Sequence, residues 1–230
     1  MYEIINIYKS KSENTNILFY YIEIDDIKKS LKETYKVMSD SSWIEKLSDE
    51  TLKDSFRVRL EYTISELYDL FQEDTKLSRS TGEYLISVTS KKIIVNDLKY
   101  SDIPLGEAIG KRTIGNGGFD YYAENLLKNY IIFGEAKYRK DISAYTDALD
   151  QIVEFINKEK DIADYADIAH FVSENAKKNM KNNVKGYSAG FTFKGYADKL
   201  IDKISKSLDY AELLKYEELV LIGVKINYGK

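Results

Sequence analysis

Tyr130-Ile131-Ile132-Phe133-Gly134-Glu135-Ala136-Lys137 is the stretch on which the fold turns. Its apolar start and polar end read as a strand buried along most of its length. Side chains alternate along a strand, so Glu135 and Lys137 share one face and the small Ala136 lies on the other. Upstream stands Gly117-Gly118-Phe119-Asp120, and residues 121–129 leave room for a second strand and a turn. A hairpin-like return would set Asp120 beside Glu135. Downstream, Ile142, Tyr145, Leu149, Ile152, Val153 and Ile156 recur at helical spacing and predict a helix over 142–156.

Farther out, residues 17–24 (ILFYYIEI) are β-branched and aromatic and predict a strand. Residues 27–38 predict a helix capped by Asp25 or Asp26. Residues 43–47 predict a short helical turn, with Trp43 as a core anchor. Leu52, Phe56, Leu60, Ile64, Leu67 and Phe71 predict a helix over 52–71. Residues 82–90 predict another, capped from the polar run 78–81. Residues 161–180 and 196–214 read as mostly helical, 186–195 as a glycine-bounded loop or short strand, and 219–228 as a closing strand. Together these predict an α/β (α+β) chain with a central mixed sheet flanked by helices. With 230 residues and no linker or repeat, one domain is expected: additions over 1–75, a core over about 80–160, and further additions over 161–230.

Composition closes several routes. Cysteine is absent, which excludes disulfides and thiolate metal ligands and agrees with a cytoplasmic setting. With a single histidine, His170, a paired-histidine metal site is impossible. No Gly-x-Ser-x-Gly elbow and no P-loop spacing occurs. The start lacks the pattern of a signal peptide, and no apolar run reaches membrane-spanning length. The amphipathic helices carry ordinary core stripes, so no membrane partner is expected. A net charge of −4 speaks against a histone-like coat, but the lysines are clustered. Residues 177–199 hold six lysines against one acid, Asp198, and Lys137, Arg139 and Lys140 form a second basic group. Lys111, Arg139, Lys140, Lys177, Lys178, Lys181 and Lys185 are the candidate phosphate contacts, each also readable as part of a solvated face.

Asp120, Glu135 and Lys137 would bring two carboxylates and one ammonium to one sheet edge. Paired carboxylates call for a cation, and Mg²⁺, for which Mn²⁺ can substitute, takes such oxygens while keeping waters. The metal would activate water against a phosphodiester, with Lys137 orienting the attack. The bland reading of Glu-x-Lys is a strand that ends in solvent.

This pattern resembles the PD-(D/E)xK nuclease superfamily, whose core is an Asp, a variable gap, and Glu-x-Lys on a strand. Asp120, Glu135 and Lys137 match it, although Phe119 stands where the family usually has Pro. The resemblance implies a restriction-endonuclease-like core and a metal-dependent DNA endonuclease. It also implies a carboxylate on a preceding helix, for which Glu83 in Gly82-Glu83-Tyr84-Leu85 is preferred over Glu107. Gln151 is the polar residue expected on the following helix, where a solvent-facing role is the alternative. Phe133-Gly134-Glu135-Ala136-Lys137 followed by Asp141-Ile142-Ser143-Ala144 is similar, more narrowly, to the nuclease subunit of Hachiman-type anti-phage defence systems, which would imply a helicase partner and defence against foreign DNA. Two alternatives stand beside this: a non-catalytic nucleic-acid-binding or protein-interaction module with a nuclease-like fold, and a homodimeric type II restriction endonuclease.

Overall fold

The computed structural model describes residues 2–12, 15–73, 77–110 and 117–228. A seven-stranded mixed sheet, β1 (Glu3–Lys11), β2 (Asn16–Ile24), β3 (Ser101–Ile103), β4 (Tyr121–Asn125), β5 (Tyr130–Lys137), β6 (Lys185–Thr192) and β7 (Glu218–Ile226), runs through its centre in the order β1-β2-β7-β6-β5-β4-β3. β2, β7, β6 and β5 are parallel, while β1–β2, β5–β4 and β4–β3 are antiparallel. The helices are α1 (Ile27–Met38), α2 (Glu50–Glu73), α3 (Arg79–Asn96), α4 (Gly106–Ile109), α5 (Tyr145–Asn157), α6 (Lys160–Ile168), α7 (Glu174–Lys181), α8 (Ala197–Ile204) and α9 (Leu208–Leu213).

β5 lies next to the middle strand β6, and all eight of its residues are buried, as its apolar run requires of a strand covered on both faces. Phe133 packs against Phe119 and Tyr187 at ring-centroid distances of 5.3 and 6.2 Å, and Phe119 meets Phe155 of α5 at 5.2 Å. Full burial of each such side chain stabilises the fold by about 1.5–3 kcal/mol. Gly134 and Ala136 point to the other face. A Cβ on Gly134 would lie 2.0 Å from the Tyr121 ring, so only glycine lets β4 and β5 close here.

That second face is covered by α3, where a Cβ on Gly190 would meet Ser90 and Ile86. α3 is longer than the 82–90 expected. Ser78 and Thr81 form a reciprocal cap at its start, and Leu85, Ile86, Val88, Ile93 and Ile94 are buried nearly all round it, which erases the one-sided periodicity that marks surface helices. α5 begins at Tyr145, because Ile142 is exposed. Residues 161–180 divide into α6, a 3-10 turn (Ala169–Phe171) and α7, whose start is capped by Ser173. Residues 186–195 supply the central strand β6. β1 and β3 carry little sequence signal: β1 is an exposed edge strand with a bulge between Ile4 and Asn6, and β3 has three residues. The segments 1–75 and 161–230 supply four of the seven strands.

Candidate functional site

The β4–β5 pairing sets Tyr121 opposite Gly134, so Asp120 comes beside Glu135 as the hairpin reading requires. The Asp120 N–H donates to Gly134 O at 2.8 Å, and its Oδ2 accepts from the Ala136 N–H at 2.7 Å. Lys137 Nζ donates to Glu135 Oε1 at 2.7 Å. Glu135 is 2% exposed, and its Oε2 has no hydrogen-bond partner. Burial drives the Glu135 carboxyl well above the ordinary carboxylate range; Asp120 adds to the rise and Lys137 opposes it. Burial alone would lower the Lys137 ammonium, but Glu135 and Asp120 outweigh it and hold the ammonium above its ordinary value.

Asp164 of α6, which the sequence reading passed over, fixes the approach to this cluster. Its Oδ2 accepts from the Phe119 N–H at 2.8 Å and from the Tyr122 hydroxyl at 2.7 Å. A lone Asp in a weakly periodic helix carries no signal of that role. Glu83 lies just past the first turn of α3 and accepts from Arg79 Nε at 3.2 Å. Its charge is felt by Glu135 without becoming part of the same oxygen cluster. Glu107 lies in α4, where the Gly106 N–H donates to Asp120 O. Gln151 is half-buried midway along α5 and does not join the group.

The expectation of Mg²⁺ or Mn²⁺ is therefore corrected. Among the described residues, no three His, Cys, Asp or Glu side chains are placed to hold a metal ion. The reason lies in how the carboxylates are occupied. Lys137 pairs with Glu135 at contact distance, a backbone N–H closes one oxygen of Asp120, and Glu83 is paired with Arg79. Mg²⁺ demands a near-octahedral oxygen shell, which this arrangement does not offer. This argues against a metal-dependent endonuclease site among the described residues, and equally against the homodimeric restriction enzyme, which needs the same ion. What remains is an Asp-Glu-Lys cluster, with Glu135 and Lys137 buried and Asp120 half-buried, that ties β4 to β5.

The candidate phosphate contacts divide between the two ends of the sheet. Arg139 and Lys140 follow β5 at its C-terminal end. Lys177, Lys178 and Lys181 are on α7, which reaches the other end, where Asn179 Nδ2 donates to Asn129 O at 2.8 Å. Lys185 is buried in an ion pair with Asp161 and is removed from solvent. Lys111 lies outside the described residues.

A cleft of about 300 Å³ opens at the C-terminal ends of β5, β6 and β7 and continues into a second that passes Arg79 and Asp141. Their walls carry five cations, Arg79, Arg139, Lys140, Lys194 and Lys225, against one acid, Asp141. Arg139 is paired with Asp147, Lys225 Nζ lies 2.7 Å from Glu23, and Lys194 is 3.8 Å from Asp141. Lys140 instead lies over the Tyr228 ring, 5.6 Å from its centroid, and the Tyr228 hydroxyl is 2.8 Å from that of Tyr138. At the rim, Tyr196 is 76% exposed with Lys199 over its ring. Lys194 belongs to the lysine-rich stretch. Lys225 and Tyr228 reach the cleft only through strand pairing. No family model matches this chain, and no curated protein matches it in sequence. Among the described residues, no helix is long and apolar enough to cross a membrane.

Proposed function

We propose that this chain is a non-catalytic nucleic-acid-binding module on a nuclease-like scaffold, and that it grips the DNA backbone in the basic cleft at the C-terminal ends of β5, β6 and β7. The observation that carries the reading is the excess of five cations over one acid among the residues lining the cleft, three of them paired with acids that do not line it, Asp147, Glu23 and Glu83. Phosphate binding depends on such an excess, because each cation that meets a phosphate releases condensed counterions. Ligands of open α/β sheets also favour the carboxyl ends of parallel strands. Tyr228 and the exposed Tyr196 offer aromatic faces next to lysines, the combination that serves stacked bases as well as phosphates. The Asp120, Glu135 and Lys137 cluster supports a nuclease-like scaffold in which the charged triplet has a structural task. The absence of cysteine supports a cytoplasmic setting.

A gel-shift titration with short duplex and single-stranded DNA at low salt, in millimolar Mg²⁺, tests this reading. A retarded band with the DNA intact is the expected result. Retardation should weaken in a Lys140→Ala/Lys194→Ala double variant. No retardation of either substrate, or equal retardation by the double variant, would refute it.

A further inference from the structure

The tip of the β4–β5 hairpin, at the end of the sheet opposite the basic cleft, is built in an unexpected way. Leu127 is 96% exposed and Leu126 55% exposed, side by side in a turn where polar residues would be the ordinary choice. Single exposed leucines are common on protein surfaces, but an adjacent pair at a projecting tip is not. The turn holds them outward. Asn125 Oδ1 accepts from the N–H groups of Leu127 and Lys128, both at 3.1 Å, the Asn129 N–H returns to Asn125 O, and Asn129 takes a left-handed φ of 58°.

Cations stand at the same end of the sheet. Lys128 is exposed, with its Nζ over the Tyr130 ring. α7 docks on the hairpin through Asn179 and Asn129, and the buried Glu124 of β4 accepts from the Ser173 N–H at its start. Lys178 and Lys181 of that helix are exposed, whereas Lys177 is engaged by Glu174.

We propose that this tip docks on a bilayer carrying anionic phospholipid: Leu126 and Leu127 enter the boundary between headgroups and acyl chains while Lys128, Lys178 and Lys181 meet headgroup phosphates. The shape and the charge select this occupant. The apolar surface is two adjacent side chains at a turn, far smaller than the roughly 800 Å² per partner of a stable protein interface. A lipid surface needs no matching pocket, and membrane attachment commonly joins a small apolar insertion to a basic surround. The sequence reading expected no membrane partner because it considered helices, and this feature belongs to a turn. The inference is independent of the DNA-binding reading. The eight residues of β5 separate the two sites by roughly 23 Å at 3.3 Å per residue, so one ligand does not obstruct the other.

Co-sedimentation of the full chain with phosphatidylcholine vesicles, with and without phosphatidylserine, is the test. The chain should pellet with the anionic vesicles and remain in solution with the neutral ones. Leu126→Ser/Leu127→Ser should lower the partition about tenfold or more. Lys128→Ala and Lys178→Ala should each lower it about fivefold at low salt. All four positions are exposed, and an unchanged thermal melt will confirm folding. As a second readout, Leu127→Trp should show blue-shifted emission with anionic vesicles. No pelleting of the unaltered chain, or pelleting unaffected by the leucine replacements, overturns the proposal. Self-association lost on Leu127→Ser without vesicle binding also overturns it, in favour of a protein partner at this tip.

Discussion

Replacing Lys137 with Met leaves Glu135 buried without its cation. Glu135 is 2% exposed, one of its oxygens has no hydrogen-bond partner, and the other depends on Lys137 Nζ at 2.7 Å, itself on a side chain only 11% exposed. Breaking one side of a pair this deep costs about 3–5 kcal/mol. In a chain of this size that is a fall in Tm of about 6–20 °C. The loss depends on pH with a definite sign. Burial raises the folded pKa of Glu135 above its ordinary 4.5, so its ionisation destabilises the fold increasingly as pH rises from that value toward the folded one. Lys137, whose pKa is raised, contributes stability through neutral pH and loses it only as pH passes above 10.5 toward its folded value. Lys137→Met should therefore be severe at pH 7 and mild near pH 4, where Glu135 is protonated in both states. Glu135→Gln, which keeps an acceptor for Lys137 and removes the buried charge, should cost less than Lys137→Met at pH 7. Urea unfolding of both variants at the two pH values measures this. A loss for Lys137→Met below about 1 kcal/mol at pH 7, or one equal at both pH values, would refute a structural role for the pair.

Three further outcomes follow from the packing. Gly82→Ala should destabilise by about 1–3 kcal/mol in denaturant unfolding, because its Cβ would sit 2.3 Å from the Tyr138 ring; an unchanged midpoint would mean that α3 packs differently on β5. Lys185→Met should cost about 3–5 kcal/mol by stranding Asp161, yet leave DNA retardation of the folded protein unchanged, since Lys185 is buried away from the cleft; a loss of retardation would return it to the binding surface. Millimolar Mg²⁺ or Mn²⁺ should leave Tm where it is, because stabilisation by mass action needs a site and the described residues hold no group of three ligands to form one; a rise of several degrees in calorimetry would contradict this.

The centre of the sheet was legible because local pattern and tertiary demand agree there. The run Tyr130–Lys137 has the hydrophobicity of a doubly covered strand, and the short return from Asp120 leaves room for the strand and turn of a hairpin. Helix α1 was legible from end to end because Asp26 caps it and its stripe faces one side. β6 was obscured by its glycines. Gly190 is needed for the approach of α3, and a glycine spacing set by tertiary contact looks like a loop in the sequence. The triplet was read correctly as a convergence of charges and wrongly as a metal site. Sequence spacing fixes that Asp120 and Glu135 meet, but not which donors reach their oxygens. The Ala136 N–H and Lys137 Nζ do, and Glu83 is engaged by Arg79. The cleft escaped because two of its five cations, Lys225 of β7 and Lys194 after β6, are brought to β5 by parallel pairing across long separations.

The salt dependence of DNA affinity, followed by fluorescence anisotropy of a labelled duplex in millimolar Mg²⁺, addresses the cleft most directly. For the unaltered chain, log affinity should fall linearly with log salt while the DNA stays intact. Losing two phosphate contacts in Lys140→Ala/Lys194→Ala should make the slope shallower by about 1.8, at roughly 0.9 per contact. Lys178→Ala/Lys181→Ala, at the opposite end of the sheet, should leave the slope unchanged. Equal slopes for the unaltered chain and the cleft variant, or cleavage of the duplex by the unaltered chain, would contradict a non-catalytic grip on the backbone at the ends of β5, β6 and β7.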